Sequence, residues 1–232
     1  NFFEDFRLGQ EIVHAVPRTV TTGDVSLYSA LYGMRFAVQS SDAFAQSVGL
    51  SRAPVDNLLL FHVIFGKTVP DISLNAVANL GYAECRFLRQ AYPDDSVTAR
   101  STVIGLRENA NGKTGIVYVR STGYDQTGEP MLTFVRWVMV NKRDQTAPPP
   151  ATIVPETAAA VSAADLVIPD GLDFSRYDRT LAGSPFLFDD YATGEKIDHI
   201  DGMTIEEAEH QIATRLYQNT AKGHFDGLAQ KS

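Results

Sequence analysis

Cysteine is almost absent: Cys85 is the one thiol among 232 residues. It has no internal disulfide partner, and a thiolate zinc site, which needs several cysteines, is excluded. A single thiol suits a reducing cytosol, so a cytoplasmic location is expected. Basic residues are also scarce, 20 against 28 acidic ones, and the formal net charge is -8. Nucleic acids and anionic membrane surfaces call for a basic stripe that this balance does not supply, so neither is an expected partner. Long apolar runs are missing too. The longest, Leu58 to Phe65, is interrupted by His62 and is far short of the ~20 residues that span a bilayer. Neither a GxxxxGK[ST] loop nor a GxGxxG turn is present, so no nucleotide cofactor is announced. The first residues, Asn1 to Arg7, lack both an initiator Met and the basic flank and apolar stretch of a secretory signal. Trimming of the chain at that end is therefore an expectation.

What is present is an ordinary globular balance, 44% hydrophobic and 21% charged residues, arranged around an internal repeat. Phe2 to Tyr32 and Leu187 to Tyr217 superpose without a gap. Phe3 matches Phe188, Asp5 matches Asp190, Gly9 matches Gly194, Ile12 matches Ile197, His14 matches His199 and Tyr32 matches Tyr217. This is the mark of a duplication. After the first copy the structured pattern runs on for about 110 residues, and after the second for only 15. Between them Asp144 to Ala164, with Pro148 to Pro150 and an alanine-rich stretch, reads as an extended linker. The expected organisation is a first unit over 1–143, a linker over 144–185 and the beginning of a second unit over 186–232.

In the first unit, Thr22 to Tyr32 and a short stretch near Ser41 to Val48 have helical spacing. Val55 to Val69 is apolar nearly all round, which for a helix means burial on every side. Four β-rich runs follow: Ala76 to Gln90, Ser96 to Arg107, Gly115 to Tyr124 and Met131 to Asn141. Turn signals at Tyr92 to Asp95, Asn109 to Gly112 and Gln126 to Gly128 separate them, each able to close an antiparallel hairpin. A wholly apolar helix followed by long antiparallel strands packs best with the sheet wrapped round the helix. The expected class is therefore α+β with a hot-dog fold, a double hot-dog whose second unit is truncated.

Continuing the repeat register, Met34 faces Asn219 and Gln39 faces His224. The first copy carries no titratable pair. In the second, a histidine with an ordinary pKa near 6.5 can exchange a proton at neutral pH, and an asparagine can hold a water by donating and accepting together. An Asn and a His near a helix end also serve as a cap and a surface imidazole, and spacing alone does not separate the two.

The segment Tyr217 to Asp226, YQNTAKGHFD, resembles the hydratase motif of the MaoC-like hot-dog family. There an acidic residue and a histidine five positions later sit in a loop after a helix and act on water. Asn219 stands at the acidic position and His224 at the histidine position, while the first copy resembles the same motif with both positions lost at Met34 and Gln39. Longer stretches, APVDNLLLFHVIFGKTVPDISLNAVANLGYAECRFL, TFVRWVMVNK and HQIATRLYQNTAKGHF, resemble one subgroup of that family, whose substrate is a methyl-branched, dicarboxylic enoyl-CoA. The resemblance implies reversible addition of water to mesaconyl-CoA or a close relative, giving β-methylmalyl-CoA, with no metal or redox cofactor. Asn219 departs from the family's acidic residue. An amide does not titrate, so His224 must carry the proton transfer and Asn219 orient the water.

A donor to the thioester oxygen is expected at the head of the buried helix, at Val55 to Asn57 in the first unit and past Ser232 in the second. On that reading the native chain continues past Ser232, and this length alone has little hydratase activity. The alternatives are an acyl-CoA thioesterase using Asp56, which otherwise reads as a helix N-cap, and a non-catalytic CoA-binding lobe. His62 reads as a core histidine, and His14 and His199 as architectural residues on strands. Arg35, Arg86, Lys67 and Lys222 are the nearest cationic candidates for a CoA thioester, with none singled out. Sheet edges of this fold commonly pair, which makes a homo-oligomer an expectation.

Overall fold

A computed structural model of the chain describes residues 1–200 and 202–229. The closing residues of the expected second unit, 230–232, lie outside the described residues. A 3-10 turn over Phe3–Asp5 leads into a strand, β1 (Glu11–Thr19), followed by three helices, α1 (Thr22–Tyr32), α2 (Ala37–Ser40) and α3 (Asp42–Ser47). The Thr21 and Asp24 side chains cap the start of α1 reciprocally, and Gly33 at φ 60 ends it in the left-handed conformation. Helix α4 (Asn57–Thr68) comes next, then β2 (Ala76–Phe87), β3 (Ser96–Glu108), β4 (Thr114–Tyr124) and β5 (Pro130–Asn141).

The strands form one antiparallel sheet in the order β1-β3-β4-β5-β2. Helix α4 lies in its concave face. Leu59, Leu60, Val63 and Ile64 are all but fully buried, against Val97, Ala99, Leu132 and Phe134 of the sheet. Each such side chain contributes roughly 1.5–3 kcal/mol of burial. Gly123 leaves the room that the Ile64 side chain fills. A second cluster at the other end of the concave face holds Phe3, Phe6, Ile12, Val103, Val117 and Val138. This is the hot-dog arrangement that the residue pattern predicts.

One expectation about the turns is corrected. Residues 109–112 and 125–128 close hairpins, with Gly112 at φ 65 and Gly128 at φ 88, but Tyr92 to Asp95 does not. β2 pairs with β5 at the far edge of the sheet and β3 pairs with β1 and β4. The segment between β2 and β3 therefore crosses the head of α4, where Ala91 O accepts from Val55 N at 2.8 Å. Enclosing the helix puts sequential strands on opposite sides of it.

The stretch expected to be an extended linker is extended, and it is pinned along its length. Ile153 forms an isolated bridge with Leu106, Glu84 accepts from Ala158 N at 3.1 Å, Arg86 pairs with Asp165 at 3.3 Å and Val48 O accepts from Asp173 N at 3.0 Å. A single turn, α5 (Arg179–Ala182), follows, and α6 (Glu207–Leu216) is the last α-helix among the described residues. The repeat copy of β1 around His199 is not a strand. A strand needs a ladder partner, and no described strand lies beside this one. The counterparts of buried Phe3, Phe6 and Ile12 are accordingly exposed, Phe188 at 91%, Tyr191 at 49% and Ile197 at 52%.

Candidate active site

Helix α6 lies against α1, its own repeat counterpart. The two matched tyrosines meet there, Tyr217 Oη donating to Tyr32 Oη at 2.6 Å. Tyr217 also stacks on His62, 4.4 Å between ring centroids, so His62 serves as a half-buried packing surface. Arg18 ties the end of α6 down by donating to Leu216 O while its other nitrogen holds Asp24 at 2.6 Å. Gly66, in the last turn of α4, decides how closely this assembly approaches. A methyl group there would overlap the carbonyl oxygen of Tyr217, so only glycine lets the segment after α6 rest on the buried helix.

That segment carries both residues singled out from the repeat. Asn219 Oδ1 accepts from Ala221 N at 2.9 Å, an Asx turn that shapes the loop and leaves the amide nitrogen for other use. His224 ends a short 3-10 turn over Lys222–His224, with the His210 ring 5.4 Å away. Both Asn219 and His224 border one cleft of about 630 Å³, which Phe65, Ser73 and Arg136 also line. The pKa of His224 is lowered by lost hydration and then by His210. Near neutral pH the ring is therefore held in the unprotonated form that a base requires. Their counterpart Met34 borders a separate cleft of about 610 Å³ together with Arg35 and Phe44.

Asp56 is the N-cap of α4, accepting from Leu58 N at 2.8 Å and Leu59 N at 3.3 Å. Its carboxylate is thus engaged with the helix. Those two amides, and Val55 N on Ala91 O, are already used, which leaves little of the head of α4 for a thioester oxygen. His14 resembles part of a hydrolytic triad in outline. Its Nδ1 donates to Asp71 at 2.7 Å and its Nε2 accepts from Ser101 Oγ at 2.7 Å. His14 and Ser101 are only 3% and 2% exposed, so the group is architectural. Of the four cations named from sequence, Lys67 is buried on Val16 O, with its pKa lowered to about 8 by burial and Arg18. Arg86 pairs with Asp165 and Arg35 borders the other cleft. Lys222 alone borders the cleft of His224.

The residue that sequence reasoning missed is Arg136. It sits in the inward-facing set of β5, among Leu132, Phe134, Val138 and Val140, with 0% exposure. An arginine in the buried phase of an apolar strand was the available signal. No group of three or more His, Cys, Asp or Glu able to hold a metal occurs among the described residues.

A helix wrapped by an antiparallel sheet, with an Asn/His loop after a helix opening on a cleft, defines a MaoC-like hot-dog protein. The chain belongs to the mesaconyl-CoA hydratase family, whose model matches residues 1–185. It is 64% identical over 225 residues to the mesaconyl-CoA hydratase of Cereibacter sphaeroides, covering 97% of this chain and 66% of that protein. To the β-methylmalyl-CoA dehydratase of Chloroflexus aurantiacus it is 62% identical over 226 residues, covering 97% of this chain and 64% of that protein. A crystal structure from Chloroflexus aurantiacus, of a MaoC domain protein described as a dehydratase, matches all of this chain with a TM-score of 0.97 and 60% identity, over 66% of its own length. The chain spans just under two thirds of the length of the curated relatives it matches. No helix among the described residues is long and apolar enough to cross a membrane.

Proposed function

We propose that the intact protein is a hydro-lyase that reversibly adds water to the double bond of an enoyl-CoA thioester, mesaconyl-CoA or a close relative, to give β-methylmalyl-CoA. The observation that carries this reading is the placement of Asn219 and His224 on one cleft, in a chain so similar to two proteins named for the two directions of that reaction. Asn219 positions a water through its free amide nitrogen, and His224 accepts a proton from it as its oxygen bonds to the β-carbon. Electron density moves to the thioester oxygen, and the imidazolium returns the proton to the α-carbon. The donors to that oxygen come from the second unit's counterpart of the α4 head, since the amides at Asp56 are occupied. No metal or redox cofactor takes part.

The reading divides the chain into a worn first hot-dog unit over 1–143, a linker over 144–185 and the opening of the catalytic unit over 186–232. The exposure of Phe188, Tyr191 and Ile197 supports this division, because their counterparts Phe3, Phe6 and Ile12 are buried by a sheet. A second sheet in the intact protein covers them in the same way. The substrate is a soluble CoA thioester, the setting is the cytosol, and sheet edges pair copies into a homo-oligomer. The test is to follow mesaconyl-CoA with the intact protein. Enoyl absorbance falls and no free thiol appears; thiol release at the same rate would instead make it a thioesterase.

A further inference from the structure

Of the two cations that line the cleft, Lys222 is exposed and Arg136 is fully buried. Its guanidinium lies 4.5 Å from the centre of the Phe65 ring, and Nη2 donates to Thr68 Oγ1 at 2.8 Å and Ser73 Oγ at 3.4 Å. Those partners are neutral. Among the described residues Nε and Nη1 have no hydrogen-bond partner, although both are buried. Among the described residues no carboxylate pairs with Arg136, whereas the buried Lys142 holds Glu108 at 2.9 Å. Burial lowers the pKa of Arg136 only to about 10, so the group is charged at neutral pH. A buried charge without a counter-ion is costly and is kept where something else supplies the opposite charge.

Arg136 lines the cleft shared by Asn219 and His224. We propose that Arg136 is the anchor for the free carboxylate of the substrate, gripping it through the unpaired nitrogens and so setting the double bond against the water held at Asn219. This assignment rests on the hydration reading for the identity of the ligand and adds to it the reason for a dicarboxylic substrate. Charge-assisted pairing of guanidinium with carboxylate is strong and directional. An enoyl thioester of the same size without the carboxylate leaves the cation unpaired, which rejects it more effectively than a shape difference does.

The test uses the saturated thioester methylsuccinyl-CoA and its carboxamide, in which an amide replaces the free carboxylate, so that binding is measured without turnover. The intact wild-type protein is expected to bind the carboxylate form at least about tenfold more tightly. Arg136→Gln brings the two affinities within about twofold, and Arg136→Lys restores part of the difference. In turnover, Arg136→Gln lowers kcat/KM for mesaconyl-CoA by about 10- to 100-fold, and the preference for mesaconyl-CoA over crotonyl-CoA falls with it. Equal affinities in the wild type, or an unchanged preference in Arg136→Gln, would overturn the proposal. If the variants do not fold, a crystal structure of the wild type with methylsuccinyl-CoA decides, since a carboxylate beyond hydrogen-bond reach of Arg136 overturns it. A carboxylate preference that depends on Arg136, with no hydration of mesaconyl-CoA, would retain the anchor and discard the hydratase reading.

Discussion

Replacing Gly66 with alanine separates the stability of the buried helix from the geometry of the site that rests on it. Alanine in a helix interior is favoured over glycine by roughly 0.5–1 kcal/mol, so α4 taken alone gains. The added methyl, however, overlaps the Tyr217 carbonyl, which must retreat by about 1.5 Å to reach ordinary contact. It cannot do so alone, because Tyr217 is held by the hydrogen bond to Tyr32, the stack on His62 and the Arg18 contact to Leu216 O. The retreat therefore carries Asn219, whose backbone N–H donates to Thr214 O at 3.0 Å, and with it the loop to His224. A misplacement near 1 Å can cost about 10²-fold in rate. Steady-state hydration of mesaconyl-CoA by the Gly66→Ala intact protein should fall by about that factor, with thermal unfolding recorded in parallel. Wild-type turnover in a protein of equal or higher Tm would refute the claim that this contact sets the site.

Removing the Asp56 cap by Asp56→Ala should cost about 1 kcal/mol and lower Tm by roughly 2–4 °C for a chain of this size; if the variant instead abolishes a thiol-releasing activity, the carboxylate is catalytic. Folding lowers the pKa values of His14, His62 and His224, burial being the first cause for each. The unfolded chain then binds more protons than the folded one just below pH 6.5, so stability is lost as pH falls through that value. Scanning calorimetry between pH 7.5 and pH 5.5 should show Tm decreasing, and a Tm that rises on acidification would contradict the assigned direction.

The sequence carries some of these features openly and others hardly at all. The apolar run Leu58 to Phe65 declares a core helix, and the long β-rich runs separated by turn signals declare an antiparallel sheet. The repeat register led to Asn219 and His224, and the cleft brings them together. Strand order was less legible. Tyr92 to Asp95 has the chemistry of a tight turn, yet its neighbours separate to opposite sides of α4, a consequence of the enclosed helix that no local signal records. Arg136 was hidden by composition, since one arginine among the eight apolar residues from Met131 to Val140 reads as a surface position until the phase of β5 is known. His199 copies the strand residue His14 in sequence without the ladder that makes a strand.

The claim on which the account depends is that an unprotonated His224 takes the proton from water. The direct measurement is the pH profile of kcat/KM for hydration by the intact protein, compared with that of His224→Gln. The wild-type profile should fall on the acid side with a midpoint below 6.5, in keeping with the lowered pKa of the ring. The variant should lose roughly 10²-fold or more in rate together with that limb. A variant that keeps both the rate and the acid limb would place the base elsewhere.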